Sequence, residues 1–113
     1  ASYAEVAKAG GGIVSTVEAT RNMSDKDLVD SALPRVDALL EEGVSLIEVK
    51  SGYGLDIDAE LGMLRAARKI AEQRPVRIVT SFLGAHAVPH EYAVDSDGYI
   101  DNICIPALSV LFQ

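Results

Sequence analysis

Two short runs hold the residue types that could do chemistry: Lys50-Ser51-Gly52-Tyr53-Gly54 and Gly84-Ala85-His86-Ala87-Val88-Pro89. In the first, two glycines bracket a tyrosine. A plain reading is a tight strand-to-helix turn in which Tyr53 covers a core edge. A sharper one is that the glycines free the backbone so that Tyr53 aims its hydroxyl into a pocket. A third is a phosphate cradle, because glycines ahead of a helix N-terminus bind anions. Asp56 and Asp58 argue against the cradle, since two carboxylates beside that helix start repel phosphate. In the second run His86 stands between a glycine and a proline loop. A lone histidine is more often structural than catalytic. In this place, though, a neutral imidazole can donate to a carbonyl, accept a proton or bind a metal ion.

Other patterns fail on their spacing. His86 and His90 form H-x-x-x-H, which pairs ligands on a helix face, but Pro89 between them and Gly84 before them argue against a helix. Asp95-Ser96-Asp97-Gly98 hints at a calcium loop. In that register the first position is Ala93 and the twelfth Cys104, where acids are required. Cys104 has no companion histidine in a recognisable spacing and reads as a helix-face residue. As the single cysteine it cannot form an internal disulfide, which fits a reducing compartment and a cytoplasmic location.

The elements that must position these runs follow from periodicity and punctuation. Residues 2–9 suit a short helix ended by Gly10-Gly11-Gly12. Ile13 to Val17 is short and β-branched and reads as a strand. Ser24 caps a helix with Asp25 and Asp27 in its first turn. That helix carries an apolar stripe through Leu28, Val29, Ala32, Leu33, Val36, Leu39 and Leu40, bends at Pro34 and stops at Gly43. Val44 to Lys50 reads as a strand. Asp58 can cap the next helix, with the stripe Leu61, Leu64, Ala67 and Ile70 and with Pro75 as the stop. Val76 to Leu83, mostly apolar, reads as a third strand buried on both faces. A loop from Val88 to Gly98 leads to a helix starting at Tyr99, which Pro106 interrupts.

Strands alternating with helices of this length imply parallel strands with right-handed crossovers. A (β/α) barrel piece and a flavodoxin-like sheet both satisfy the pattern. In either, ligands bind at the carboxyl ends of the strands, and both chemical runs fall there.

The chain of 113 residues is 49% hydrophobic, ample for a packed core. No stretch approaches the roughly 18 apolar residues of a membrane span, and no basic-then-apolar leader is visible. A formal charge of −7, with the basic residues scattered among acids, argues against nucleic acid as a partner. The composition thus fits a soluble intracellular protein.

Four stretches resemble the imidazolonepropionase family of amidohydrolases: Ala9 to Val17 (AGGGIVSTV), Ala32-Leu33-Pro34-Arg35, Glu48 to Leu55 (EVKSGYGL) and Phe82 to Pro89 (FLGAHAVP). They keep the family's order and separation to about Cys104. The resemblance implies an α/β fold of parallel strand–helix repeats, a partial (β/α)8 TIM-barrel segment, with residues 1–113 forming part of one amidohydrolase domain. It implies a metal-dependent hydrolase that opens 4-imidazolone-5-propanoate to N-formimidoyl-L-glutamate in histidine degradation, with Tyr53 and His86 contacting substrate.

The family's zinc or iron is held by an H-x-H pair, a later histidine and a late aspartate, none of which has a counterpart here. The expectation is therefore an internal fragment without metal ligands or a catalytic residue of its own, inactive alone and self-associating through its unpaired strand edges. Residues 105–113 depart from the family and read as a frameshifted, truncated or expression-derived tail. The alternative is a small α/β module that binds or interacts without catalysis.

Overall fold

The computed structural model describes residues 12–111. The helix expected over residues 2–9 lies outside them. Ile13 to Val17 does not form the expected strand; it opens helix α1, Ile13–Arg21. The Gly12 carbonyl accepts from the Thr16 amide, Ser15 Oγ and Thr16 Oγ1, and Thr20 Oγ1 donates to the Thr16 carbonyl. Hydroxyls that fold back on the preceding turn let Ser and Thr sit in a helix. Val17 is buried against Leu55, Tyr99 and Cys104, and this packing outweighs the β-propensity of a short run.

Local signals set the next elements. Ser24 caps helix α2, Asp25–Glu41, in a full capping box: its side chain accepts from the Asp27 amide while Asp27 accepts from the Ser24 amide. The helix runs on through Pro34, and Gly43 follows it at φ 90°. Strand β1 is Leu46–Lys50. Helix α3, Ile57–Gln73, is capped by Asp56 and not by Asp58. Asp56 has the extended backbone that a cap requires, and its Oδ1 accepts from the Ala59 amide at 2.7 Å. Asp58 falls in the first helical turn.

Strand β2, Arg77–Ser81, pairs parallel with β1 in a register running from Leu46 opposite Arg77 to Lys50 opposite Ser81. The described residues thus form a mixed helix–strand fold around a two-stranded parallel sheet, with α1 where a further strand was expected. Helices α2 and α3 pack on each other and cover one sheet face. Val29, Val36, Ala66, Ile70 and Val76 form the core there, with Ile47 and Ile78 reaching it from the strands. β2 is not buried on both faces. Along β1, and along β2 as far as Thr80, half-buried and exposed residues alternate, and Leu46 and Val79 stand 55% and 44% exposed on the uncovered face. An apolar residue on a sheet is buried only where a second layer covers it, and no described element lies on that side.

Pro106 does not interrupt the last helix. The chain is helical from Ser96 to Leu111: helix α4, Ser96–Tyr99, a π turn at Ile100–Cys104, and helix α5, Ile105–Leu111. The widened turn comes just ahead of Pro106, whose ring cannot fit against the preceding turn of a regular α-helix. Ala107 is completely buried, so residues 105–111 join the packed structure. None of the described helices is long and apolar enough to cross a membrane.

Among the ion pairs that tie distant segments are Arg65 with Asp25, Arg74 with Asp37 and Arg21 with Glu91. In each the arginine's hydrogen bond is the main cause that holds the carboxyl below its usual range. A carboxyl depressed in the folded state contributes stability that is complete above its unfolded pKa and is lost as pH falls through the folded one. The urea midpoint should therefore change little through these pairs between pH 7 and pH 5 and fall below about pH 4. A midpoint that holds steady down to pH 2.5 contradicts the pairing.

Candidate functional site

The parallel register puts the ends of β1 and β2 on one rim, where the Ser51 amide extends the ladder by donating to the Ser81 carbonyl. Both chemical runs leave from that rim. Tyr53 and His86 meet edge-on, ring centroids 5.7 Å apart at an interplanar angle of 62°. Tyr53 is 39% exposed, so it does not serve to cover a core edge. His86 ends a short 3₁₀ turn, Gly84–His86, and is also exposed. His86 also lines an open, mainly apolar cavity of about 460 Å³ together with Phe82, Leu83, Ile100, Cys104 and Leu108.

The glycines between them are required by contact as well as by turn geometry. Gly52 sits at φ 123°, and a Cβ there would lie 2.9 Å from the His86 ring. A Cβ on Gly54 would lie 2.6–2.7 Å from Ala59 and the Glu60 amide, atoms of the α3 backbone that cannot give way.

Glu60 organises the turn. It has no exposed surface, although it is charged and sits in the first turn of α3. Its Oε1 accepts from Ser51 Oγ at 3.0 Å. Its Oε2 accepts from the amides of Gly52 at 3.0 Å, Gly54 at 2.9 Å and Leu55 at 3.4 Å. The row of amides that suggested a phosphate cradle is thus filled by the protein's own carboxylate. Leu55, whose amide completes the row, takes φ 55° with its side chain buried, a conformation a non-glycine keeps only where its surroundings fix it. Sequence reasoning missed Glu60. A signal was present: it precedes Leu64 and Ala67 by four and seven residues, a charged side chain on the apolar stripe of its helix.

Arg21 was missed as well, and it clamps the rim from outside. Its Nε donates to the Gly54 carbonyl at 2.6 Å and lies 3.2 Å from Asp56, while its Nη2 donates to both the Leu55 carbonyl and Glu91. Beneath the rim, the buried Tyr99 hydroxyl donates to the Gly84 carbonyl. Burial is the main cause that pushes both the Tyr99 phenol and the Cys104 thiol upward. Both therefore keep their protons at neutral pH, and Tyr99 can remain a donor.

His90 does not join the site as a metal partner. It begins a separate 3₁₀ turn, His90–Tyr92, and shares no helix face with His86. Among the described residues no three His, Cys, Asp or Glu side chains are placed to hold a metal ion. Asp95, from the rejected calcium pattern, instead caps α4 by accepting from the Gly98 amide.

By its geometry this is an α/β segment that presents a tyrosine and a histidine from the carboxyl ends of two adjacent parallel strands. The sequence is 67% identical over 108 residues to an imidazolonepropionase of Ruegeria pomeroyi, covering 96% of this chain and 27% of that protein. It is 68% identical over the same shares to one of Roseobacter denitrificans, and 60% identical over 112 residues to one of Caulobacter sp., there covering 28% of the relative. No family model matches the chain. The chain belongs to the imidazolonepropionase family and spans about a quarter of the length of the curated relatives it matches.

Truncating the buried carboxylate tests the architecture of the rim. Glu60→Ala leaves three amides and a hydroxyl unsatisfied, and buried donors cost about 1–3 kcal/mol each when orphaned. Urea unfolding of this variant should show a loss on the order of 3 kcal/mol, with Glu60→Gln losing less because one acceptor oxygen survives. A loss below about 0.5 kcal/mol for Glu60→Ala, typical of an indifferent surface change, excludes this anchoring role.

Proposed function

We propose that this chain is part of a (β/α)8-barrel hydrolase that opens 4-imidazolone-5-propanoate to N-formimidoyl-L-glutamate, to which it supplies the substrate-contacting residues Tyr53 and His86. The observation that carries the reading is their convergence: the two rings meet at 5.7 Å on one rim, with neither spent on the core. The uncovered sheet face, with Leu46 and Val79 exposed, supports the barrel, whose remaining strands cover such a face.

Ring opening adds water across a cyclic amide C–N bond and builds negative charge on the carbonyl oxygen. The Tyr53 hydroxyl is suited to donate toward such an oxygen, and His86 to hold the ring in place. A zinc or iron ion, implied for the complete enzyme, supplies an activated water when bound. The described residues offer no ligand set that fits it, so the work assigned to this chain is substrate orientation. A cytoplasmic setting and a small-molecule substrate accord with a metabolic hydrolase.

The test is kinetic, in a full-length imidazolonepropionase carrying this segment. His86→Ala should lower kcat/KM by about 10²-fold, the cost of losing a group that holds the substrate in place. Tyr53→Phe keeps the ring but removes the hydroxyl assigned to the developing negative charge, so its loss should be about 10²–10³-fold. Unchanged kcat/KM in His86→Ala returns that histidine to a structural role.

The 113-residue chain is further proposed to self-associate, because its sheet offers unpaired edges and an apolar face to a second copy. Sedimentation equilibrium across a concentration series should show species larger than the monomer; a folded, strictly monomeric chain refutes this.

A further inference from the structure

We infer that Glu60 is a positioning residue which, through the Gly52 peptide, holds His86 in its Nε2–H tautomer, so that His86 meets its ligand at Nδ1 as a hydrogen-bond acceptor and the matching ligand group is an N–H or O–H donor. The inference rests on the substrate-binding reading of His86 given above and assigns the chemistry of that contact.

The Gly52 carbonyl lies 2.5 Å from His86 Nε2. A carbonyl can only accept, so the proton of that bond is on Nε2. A neutral imidazole has one N–H, which leaves a lone pair on Nδ1. No described residue bonds Nδ1, and the exposed ring leaves it open to a ligand.

The direction of the Gly52 carbonyl is set by Glu60. The Gly52 amide donates to Glu60 Oε2 at 3.0 Å, and the Gly54 amide, on the far side of Tyr53, donates to the same oxygen at 2.9 Å. The peptides around Gly52 are thereby held from inside the protein while its carbonyl faces out toward the ring. The second carboxylate oxygen reaches the backbone of His86 by another path. Ser51 Oγ donates to Oε1 and accepts from the Leu83 amide at 3.0 Å, and the Leu83 carbonyl accepts from the His86 amide at 3.3 Å. Ring and backbone of His86 therefore both trace to one buried carboxylate. Gly52 permits the contact because any Cβ would occupy the space of the ring.

The consequence is selective. An acceptor at Nδ1 favours a ligand that presents a hydrogen, such as the ring N–H of an imidazolone, and disfavours a bare carbonyl oxygen at that point. The Tyr53 hydroxyl, edge-on to the same ring, is left to supply the donor.

The direct test is nitrogen NMR on the chain labelled in its two histidines, at about pH 8.5 where an ordinary imidazole is neutral, with His90→Gln used to assign the signals. The expected result is a protonated Nε2 and an unprotonated Nδ1 in His86. A proton on Nδ1, or the averaged tautomers of a free imidazole, overturns the inference without any variant.

Glu60→Gln should shift His86 toward the averaged state. In a full-length imidazolonepropionase carrying this segment it should also lower kcat/KM by about 10–10²-fold, as misplacement of a reacting group does. Where Glu60→Gln fails to fold, Ser51→Ala, which cuts one of the two paths to His86, is read in its place. If His86→Ala impairs the enzyme while these variants change neither tautomer nor kcat/KM, the positioning role fails alone. If His86→Ala has no effect, the substrate-binding reading fails with it.

Discussion

A carboxylate placed where water cannot reach it must have its oxygens satisfied by the protein, and at Glu60 that requirement shapes the whole rim. Three backbone amides and a serine hydroxyl converge on its two oxygens. Without such donors, burying the charged group costs several kcal/mol or more; with them it becomes a fixed point to which the turn after β1 is tied. The same side chain limits the turn after β2, since a Cβ on Gly84 would lie 2.9 Å from Glu60 Oε1 and closer still to Phe82. Glycines in both motifs thus answer to close approach at the rim: Gly52 to the His86 ring, Gly54 to the α3 backbone, and Gly84 to Phe82 and Glu60.

Around this point lies a second set of ties that holds the rim from outside. Arg21 bonds the carbonyls of Gly54 and Leu55 and pairs with Asp56 and Glu91, joining α1 to the turns that follow both strands. Val17, Leu55, Tyr99 and Cys104 form a small core beneath, separate from the one between the sheet and helices α2 and α3. The larger core positions the strands, and the smaller one positions what emerges from their ends. This division lets the rim stay open at Tyr53 and His86 while its backbone is held tightly.

Some of this was legible in residue order alone, wherever the cause is local. Ser24 with Asp25 and Asp27, Gly43 and Pro75 act within a few residues of themselves, so the limits of α2 and the end of α3 could be read directly. The parallel relation of the two strands followed from the helix between them, and that relation placed Tyr53 and His86 on one rim. The misreadings fall where distant contacts decide. Ile13 to Val17 has a strand's composition, yet folds as a helix because Val17 is buried against residues that come much later in the chain. Asp56 and Asp58 are equally good caps by type, and the backbone path out of the Gly52–Gly54 turn selects the first.

Residue order by itself therefore determined the family, the strand–helix–strand unit and the pair of residues at the carboxyl ends of the strands, because identity, capping and alternation are properties of neighbours along the chain. Only the tertiary structure decided that Glu60 is buried, that Gly52 must lack a side chain to admit His86, and that Nε2 of His86 faces the Gly52 carbonyl. The last two depend on atoms from two turns that approach only once β1 and β2 lie side by side, and a contact between segments more than thirty residues apart leaves no periodic trace in either.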